Sequence, residues 1–194
     1  MNNLKVFKNS KVIVTGHTGF KGSWLTAWLK ELGADVMGIS LDPNTSPSHF
    51  VASKIGKNIK NIKLDIRNRK SLERKIVSFK PDFIFHLAAQ ALVGLSFKNS
   101  PLTWETNVLG TLNVLETLKK LKNKCNVIII TSDKCYFNRE THSGYKENDT
   151  LGGKDPYSAS KASAEILVSS YVTSFFSKQK LIRIVTARAG NVIG

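Results

Sequence analysis

The feature that most limits what this chain can fold into is Thr15-Gly-His-Thr-Gly-Phe-Lys-Gly22, three glycines set three apart between an apolar run and a helical pattern. Lys11-Val-Ile-Val-Thr15 is a β-branched run that stops at the cluster. Beyond it Trp24, Leu25, Trp28, Leu29 and Leu32 recur at helical spacing. The order is strand, turn, helix. In that setting Gly16 permits the tight turn, Gly19 lets backbone amides approach a pyrophosphate, and Gly22 allows close helix-to-strand packing, with the helix dipole favouring the phosphate. Phe20 and Lys21 lie inside the same turn. A glycine triplet alone also fits an ordinary turn; its place between a first strand and a helix points to a dinucleotide. No Gly-x-x-x-x-Gly-Lys-Ser/Thr is present, which argues against a phosphate-loop NTPase.

The pattern then repeats. Gly33 closes the first helix, and Val36 to Leu41 reads as a second buried strand. Ile59 to Ile66 makes a weak third strand, Ser71 to Phe79 a short helix, and Asp82 to His86 a fourth strand opened by Pro81. Residues 102–122 carry Leu102, Val108, Leu112, Val114, Leu115 and Leu118 in a helical pattern before the strand Val127 to Ile130. A polar stretch from Asp133 to Asp155 precedes another helix, and Leu181 to Thr186 supplies a sixth strand. Apolar strands alternating with helices predict an α/β fold, a doubly wound parallel sheet of Rossmann type with the loops after the strands along one edge. Without an internal repeat or a linker, residues 1–194 read as one dinucleotide-binding domain, and 41% hydrophobic content suits its core.

Charge bounds the partners. A net +15 would attract polyanions, but the lysines are spread from Lys5 to Lys180 without a basic block, so nucleic acid is not the expected partner. Part of that field could assist capture of an anionic substrate. The N-terminus is polar and no apolar stretch reaches the length of a membrane span, so the chain reads as cytoplasmic. Cys125 and Cys135 and the 4 histidines lack metal-ligand spacing, and neither a disulfide nor a metal is expected.

In Tyr157-Ser-Ala-Ser-Lys161 a spacing of four puts a phenol and an ammonium on one helix face. A cation there would stabilise the phenolate and lower the tyrosine towards neutrality, making a proton acceptor for an alcohol. By itself the spacing fits a solvated surface pair as well.

With the glycine turn, it resembles the extended short-chain dehydrogenase/reductase family, over essentially the whole chain. Leu87-Ala88-Ala89-Gln90 resembles that family's cofactor-contacting loop, Asp65-Ile66 its adenine contact, and Asn107 the helix asparagine that supports the proton relay. Each also has a plain reading: a turn aspartate, a buried asparagine bonded to backbone, close packing at the alanines. Thr131-Ser-Asp-Lys-Cys-Tyr136 follows the fifth strand, at the edge where ligands bind. Ser132, Asp133 and Lys134 resemble the nucleotide-sugar 4,6-dehydratases of the CDP-glucose type, although a surface Asp133–Lys134 pair is the simpler reading of those two residues alone.

The resemblance implies a redox-neutral dehydration of CDP-glucose using NAD. Tyr157 would take the C4 hydroxyl proton, assisted by Ser132 and Lys161, Lys134 would be the C5 base, and Asp133 would protonate the departing C6 hydroxyl. Lys134 would need a neutral amine, through burial or a neighbouring positive charge. Ser40 stands where an acidic residue usually binds the ribose, with Asp42 two positions on. Gln90 and Asn191 are carried over as substrate contacts together with Ser132. The resemblance further implies a C-terminal substrate lobe beyond these residues and allows a homodimer at full length. Another nucleotide-sugar dehydratase or epimerase, or a chain that only binds dinucleotide, are the rival readings.

Overall fold

Burial along Lys11–Thr15 explains the sheet. After Lys11 every residue of this first strand, β1, is buried, as a strand covered on both faces requires. Val12 and Val14 point to one side, where they meet Leu29, Ala34 and Val36; Ile13 points to the other, into a larger cluster with Ile39, Leu72, Ile76, Ile84, Leu115 and Ile129. One sheet therefore separates two apolar cores, each closed by helices.

In the computed structural model, which describes residues 2–193, the elements after β1 are α1 (Phe20–Glu31), β2 (Asp35–Ser40), α2 (His49–Ala52), β3 (Lys60–Lys63), α3 (Arg69–Phe79) and β4 (Phe83–His86). Then come α4 (Val93–Lys98), α5 (Ser100–Trp104), α6 (Gly110–Leu118), β5 (Cys125–Ile130), α7 (Pro156–Tyr171) and β6 (Ile182–Ala187). Met1 and Gly194, the ends of the terminal segments read above, lie outside the described residues. All strand pairs are parallel, in the order β3-β2-β1-β4-β5-β6, with Val12 opposite Val36 on one side and Phe83 on the other. This is the doubly wound sheet expected from the sequence, and its order reverses between β1 and β4.

Three elements differ in detail. The third strand shrinks from Ile59–Ile66 to Lys60–Lys63, an edge strand held only by β2. The helix expected over residues 102–122 is α5 and α6 joined by a π-turn, Glu105–Leu109, and it ends at Leu118. The third is α1, whose periodic apolar residues do not all face the sheet. A Cβ on Gly22 would lie 2.1 Å from the Gly16 carbonyl oxygen, so the helix start rests on backbone and only small side chains fit beneath it. Gly22, Ser23, Thr26 and Leu29 face the sheet, while Trp24 and Trp28 are half exposed and Trp24 stacks on His49 at 4.0 Å. Cys125 and Cys135 are buried free thiols, and among the described residues no helix is long and apolar enough to cross a membrane.

Candidate active site

The C-terminal ends of β1 and β4 flank the point where the strand order reverses, and the glycine turn sits there. Gly16 adopts φ +74, the left-handed region, and a Cβ on it would meet the Ala88 amide nitrogen at 2.7 Å, so the turn lies directly on the Leu87–Ala88 backbone. Gly19 is the N-cap of α1 and gives its amides no side-chain acceptor; a Cβ there would touch only the Gly16 carbonyl, at 3.4 Å. The first turn of α1 carries no acid. Lys21 lies near enough to the buried Lys161 to disfavour its charge, and neither ammonium forms an ion pair among the described residues. Open helix amides beside two unpartnered cations are what a pyrophosphate requires, so these residues fit a dinucleotide. Gly22→Ala should force the helix start off the turn, costing about 3 kcal/mol in urea unfolding and most of the dinucleotide affinity. A variant as stable as its parent would show that the contact can relax.

Behind the turn lies a closed hydrogen-bond network. Thr111 Oγ1 donates to the Asn107 carbonyl oxygen at 2.7 Å, so it must accept from His86 Nε2, 3.1 Å away. Burial holds His86 neutral, pushing it down to about 3 with a further push from Lys161. Its Nδ1 therefore accepts from Thr15 Oγ1 at 2.7 Å, and that same oxygen accepts from the Ala88 amide at 3.2 Å. Asn107 completes the frame. Its Oδ1 accepts from the Gln90 amide at 2.8 Å, and its Nδ2 donates to the Gln90 carbonyl at 3.0 Å and to Ser160 Oγ at 2.9 Å. Asn107 thus ties the loop after β4 to α7, and the π-turn sets it there.

The loop after β5 and the start of α7 bring the reactive groups together. Asp155 caps α7, accepting from the Ser158 amide at 2.9 Å, and Pro156 opens the helix, so Tyr157 projects from its first turn. Lys161 follows one turn on, with Nζ 6.0 Å from the Tyr157 ring centre. Ser132 caps the turn Asp133–Cys135 and donates to Asp133 Oδ1 at 3.0 Å. Burial pushes the Tyr157 phenol above its ordinary value; the Ser132 hydroxyl pulls it back, and Asp133 and Asp155 raise it again. Lys161, the cation expected to lower the phenol, is itself desolvated and falls to about 8. Lys134 is half exposed, with Nζ 3.9 Å from Asp133 Oδ2.

One cluster was missed by sequence reasoning. Glu165, almost fully buried one turn beyond Lys161, accepts from Arg188 at 3.0 Å, from Thr186 Oγ1 at 2.9 Å and from Thr131. Burial pushes its carboxyl up, but Arg188 and the two hydroxyls outweigh that and hold it below the usual carboxylate range. Arg188 lies over the Tyr136 ring at 4.9 Å, so this pair locks α7 to the loops after β5 and β6. The signal was available: positions 157, 161 and 165 share one helix face.

The remaining expected residues divide. Ser40 and Asp42 lie at the end of β2, where Ser40 Oγ meets Thr18 Oγ1 at 2.8 Å and Asp42 is paired with Lys63. Asp65 binds Arg67, whose guanidinium holds the carboxyl below its ordinary value, and Ile66 is buried against Gly110. Leu87 packs with the β1 core, and Ala88 and Ala89 line the loop after β4. The Gln90 carboxamide donates to Thr103 Oγ1 at 2.9 Å and accepts from the Leu92 amide at 2.7 Å, which anchors the loop after β4. Asn191 is exposed, in the segment whose Ala189 carbonyl accepts from the Asp133 amide at 3.1 Å.

The GDP-mannose 4,6 dehydratase family model matches residues 13–186. The chain is 47% identical over 192 residues to a CDP-glucose 4,6-dehydratase of Salmonella typhimurium, covering 97% of this chain and 54% of that protein. It is 35% identical over 209 residues to a dTDP-D-glucose 4,6-dehydratase of Dictyostelium discoideum, covering 100% of this chain and 46% of that protein. Among solved structures, a UDP-glucose 4-epimerase of Thermus thermophilus in complex with NAD matches with TM-score 0.77 and 28% identity, over 92% of this chain and 54% of the other. The chain spans about half the length of the curated relatives it matches.

Proposed function

Because this chain belongs to the family of the GDP-mannose 4,6 dehydratase model, we propose that it is the dinucleotide-binding half of an NAD-dependent 4,6-dehydratase acting on CDP-glucose. The observation that carries this reading is the loop after β5, with Ser132, Asp133 and Lys134, packed on α7, where the Ser132 hydroxyl and the Asp133 carboxylate bear on Tyr157 one turn before Lys161. The 47% identity to the Salmonella typhimurium dehydratase supports CDP-glucose as the substrate. The Thermus thermophilus complex with NAD supports the cofactor. A C-terminal substrate lobe, a homodimer at full length and a cytoplasmic location belong to the same reading.

In it, Ser132 holds the C4 hydroxyl and Tyr157 takes its proton, with Lys161 close by as the buried cation. Bound NAD would supply the hydride acceptor at C4, return the hydride at C6 and place a positive charge in the site. A ketone at C4 acidifies the C5 proton, which Lys134 takes, while Asp133 protonates the C6 oxygen so that it leaves as water; Lys134 then returns the proton to C5 when the hydride would be delivered to C6. Asn107, Thr111 and His86 act on none of these atoms; they position the loop and the helix.

The test is product analysis at the full length of the relatives. CDP-glucose should give a 4-keto-6-deoxy sugar and the UDP- and GDP-sugars should not; a C4 epimer formed without loss of water would replace the reading with an epimerase. Lys134→Met should leave oxidation at C4 but slow elimination by about 100-fold, since only the later step needs the C5 base. Borodeuteride trapping would then reveal the 4-ketohexose, and undiminished 4-keto-6-deoxy product would remove Lys134 from the mechanism.

A further inference from the structure

The lysines that lie scattered along the sequence are gathered by the fold. Because every strand pair is parallel, all six strands begin at one end of the sheet and finish at the other, where the glycine turn and Tyr157 lie. The stretches leading into the strands, residues 8–11, 32–35, 57–60, 80–82, 119–124 and 177–181, hold 11 lysines, with Asp35 and Asp82 as their only acids. Those leading out, residues 15–19, 40–48, 63–68, 87–92, 130–155 and 187–193, hold 7 lysines and arginines against 7 acids. The excess positive charge therefore belongs to the end opposite the candidate site. All 11 lysines are exposed, and only Lys60, on Asp35 at 2.6 Å, and Lys119, on Glu116 at 2.9 Å, form ion pairs among the described residues. The Asp82 carboxylate accepts from the Lys11 amide at 2.8 Å.

Hydrogen bonds join these stretches into one surface. The Asp35 amide donates to the Ser10 carbonyl at 2.8 Å, Asn123 Nδ2 to the Pro81 carbonyl at 2.8 Å, and the Cys125 amide to the Leu181 carbonyl at 2.9 Å. Lys11 and Lys60 both lie over the Phe79 ring, 5.8 and 4.9 Å from its centre. Two apolar side chains beside the lysines are half exposed, Leu181 before β6 and Phe175 after α7, with the Lys119 ammonium 4.2 Å from the Phe175 ring centre. Lysine near a helix C-terminus complements the helix dipole, which accounts for one or two residues after each helix but not for Lys119, Lys120, Lys122 and Lys124 together. Six strands spaced about 4.8 Å apart make this end a strip roughly 24 Å across. A broad strip of lysines without an arginine, with apolar side chains among them, suits the phosphates of a lipid surface better than a nucleic acid, for which the arginine fork is the fitting donor.

We propose that the end of the sheet at which the strands begin docks on an anionic phospholipid bilayer, with its lysines among the headgroups, Phe175 and Leu181 at their apolar boundary, and the candidate site turned to solution. Such docking needs no spanning helix. It is independent of which reaction the site performs.

The chain would be sedimented with phosphatidylcholine vesicles containing or lacking phosphatidylglycerol. It should bind only the anionic vesicles, with a partition that falls as salt is raised. The triple reversal Lys122→Glu, Lys124→Glu and Lys180→Glu should weaken that binding by about tenfold or more. The reversal Arg139→Glu, Lys146→Glu and Lys154→Glu, which changes the net charge equally at the opposite end, should weaken it by less than about threefold. Circular dichroism checks that both variants fold, and the milder Lys122→Gln, Lys124→Gln and Lys180→Gln should give an intermediate loss. Equal losses in the two reversals would overturn the proposal, because net charge alone would then explain the attraction. So would binding to the uncharged vesicles as tight as to the anionic ones, or binding to neither. Duplex DNA bound more tightly than the anionic vesicles, with the same dependence on Lys122, Lys124 and Lys180, would also overturn it and assign the strip to nucleic acid.

Discussion

Between pH 6.5 and 4.5 the folded chain should lose on the order of 3 kcal/mol of stability through His86 alone. His86 is sealed between Thr15 and Thr111, accepting at Nδ1 and donating at Nε2, and a second proton would displace the Thr15 hydroxyl and face Lys161. Its native value of about 3 lies below the 6.5 of a free imidazole, so below pH 6.5 the unfolded chain binds a proton that the native chain refuses. Stability is thus fully present above 6.5 and is lost as pH falls towards 3, on the order of 5 kcal/mol in all. His17, lowered chiefly by burial, acts in the same direction. Glu165, held below the carboxylate range, extends the loss below 4.5. Urea unfolding at stepped pH measures the slope. His86→Gln should be less stable than the parent at pH 7.5 yet much flatter towards 4.5. A flat parent would mean that the fold accommodates a charged His86.

What could be read from the sequence is what local geometry decides. The glycine turn was legible because strand, turn and helix are contiguous, and Tyr157 with Lys161 because i and i+4 must share a helix face. The parallel sheet followed from apolar strands alternating with helices. Features decided by distant partners were not legible. Periodicity placed Trp24 and Trp28 on one face, but which face meets the sheet is set by the contact of Gly22 with Gly16, which leaves room for only small side chains, Ser23 and Thr26, under the start of the helix, with Leu29 further along. The bonds of the Gln90 carboxamide to Thr103 and Leu92 depend on how the loop after β4 folds back on α5, which local spacing does not show. The Tyr157 phenol was expected to fall beside a cation. Burial acts on phenol and ammonium alike, which the spacing alone does not show.

That result shapes what Tyr157→Phe should do at the full length of the relatives: turnover should fall by about 1,000-fold while stability stays within about 1 kcal/mol of the parent. Only one oxygen is removed. The ring keeps its place, because Asp155 and Pro156 set the first turn of α7 independently of the phenol. A phenol raised by burial is protonated at neutral pH and cannot accept a proton until positive charge gathers around it. Lys161 supplies one such charge only while it is itself protonated, and burial has brought its loss of that proton down to about 8. With the positive charge of bound NAD also in place to bring the phenol below Lys161, turnover of the parent should rise with pH as the phenol ionises and bend over as Lys161 loses its proton, whereas the residual rate of the phenylalanine variant should lack the rising limb. Dinucleotide affinity, measured by calorimetry, should change little, since the helix amides of α1 and Lys21 are untouched. If the variant kept more than about a tenth of the activity, the C4 proton would have to leave by another route, and Ser132, already bonded to Asp133 at 3.0 Å, is the group placed to carry it.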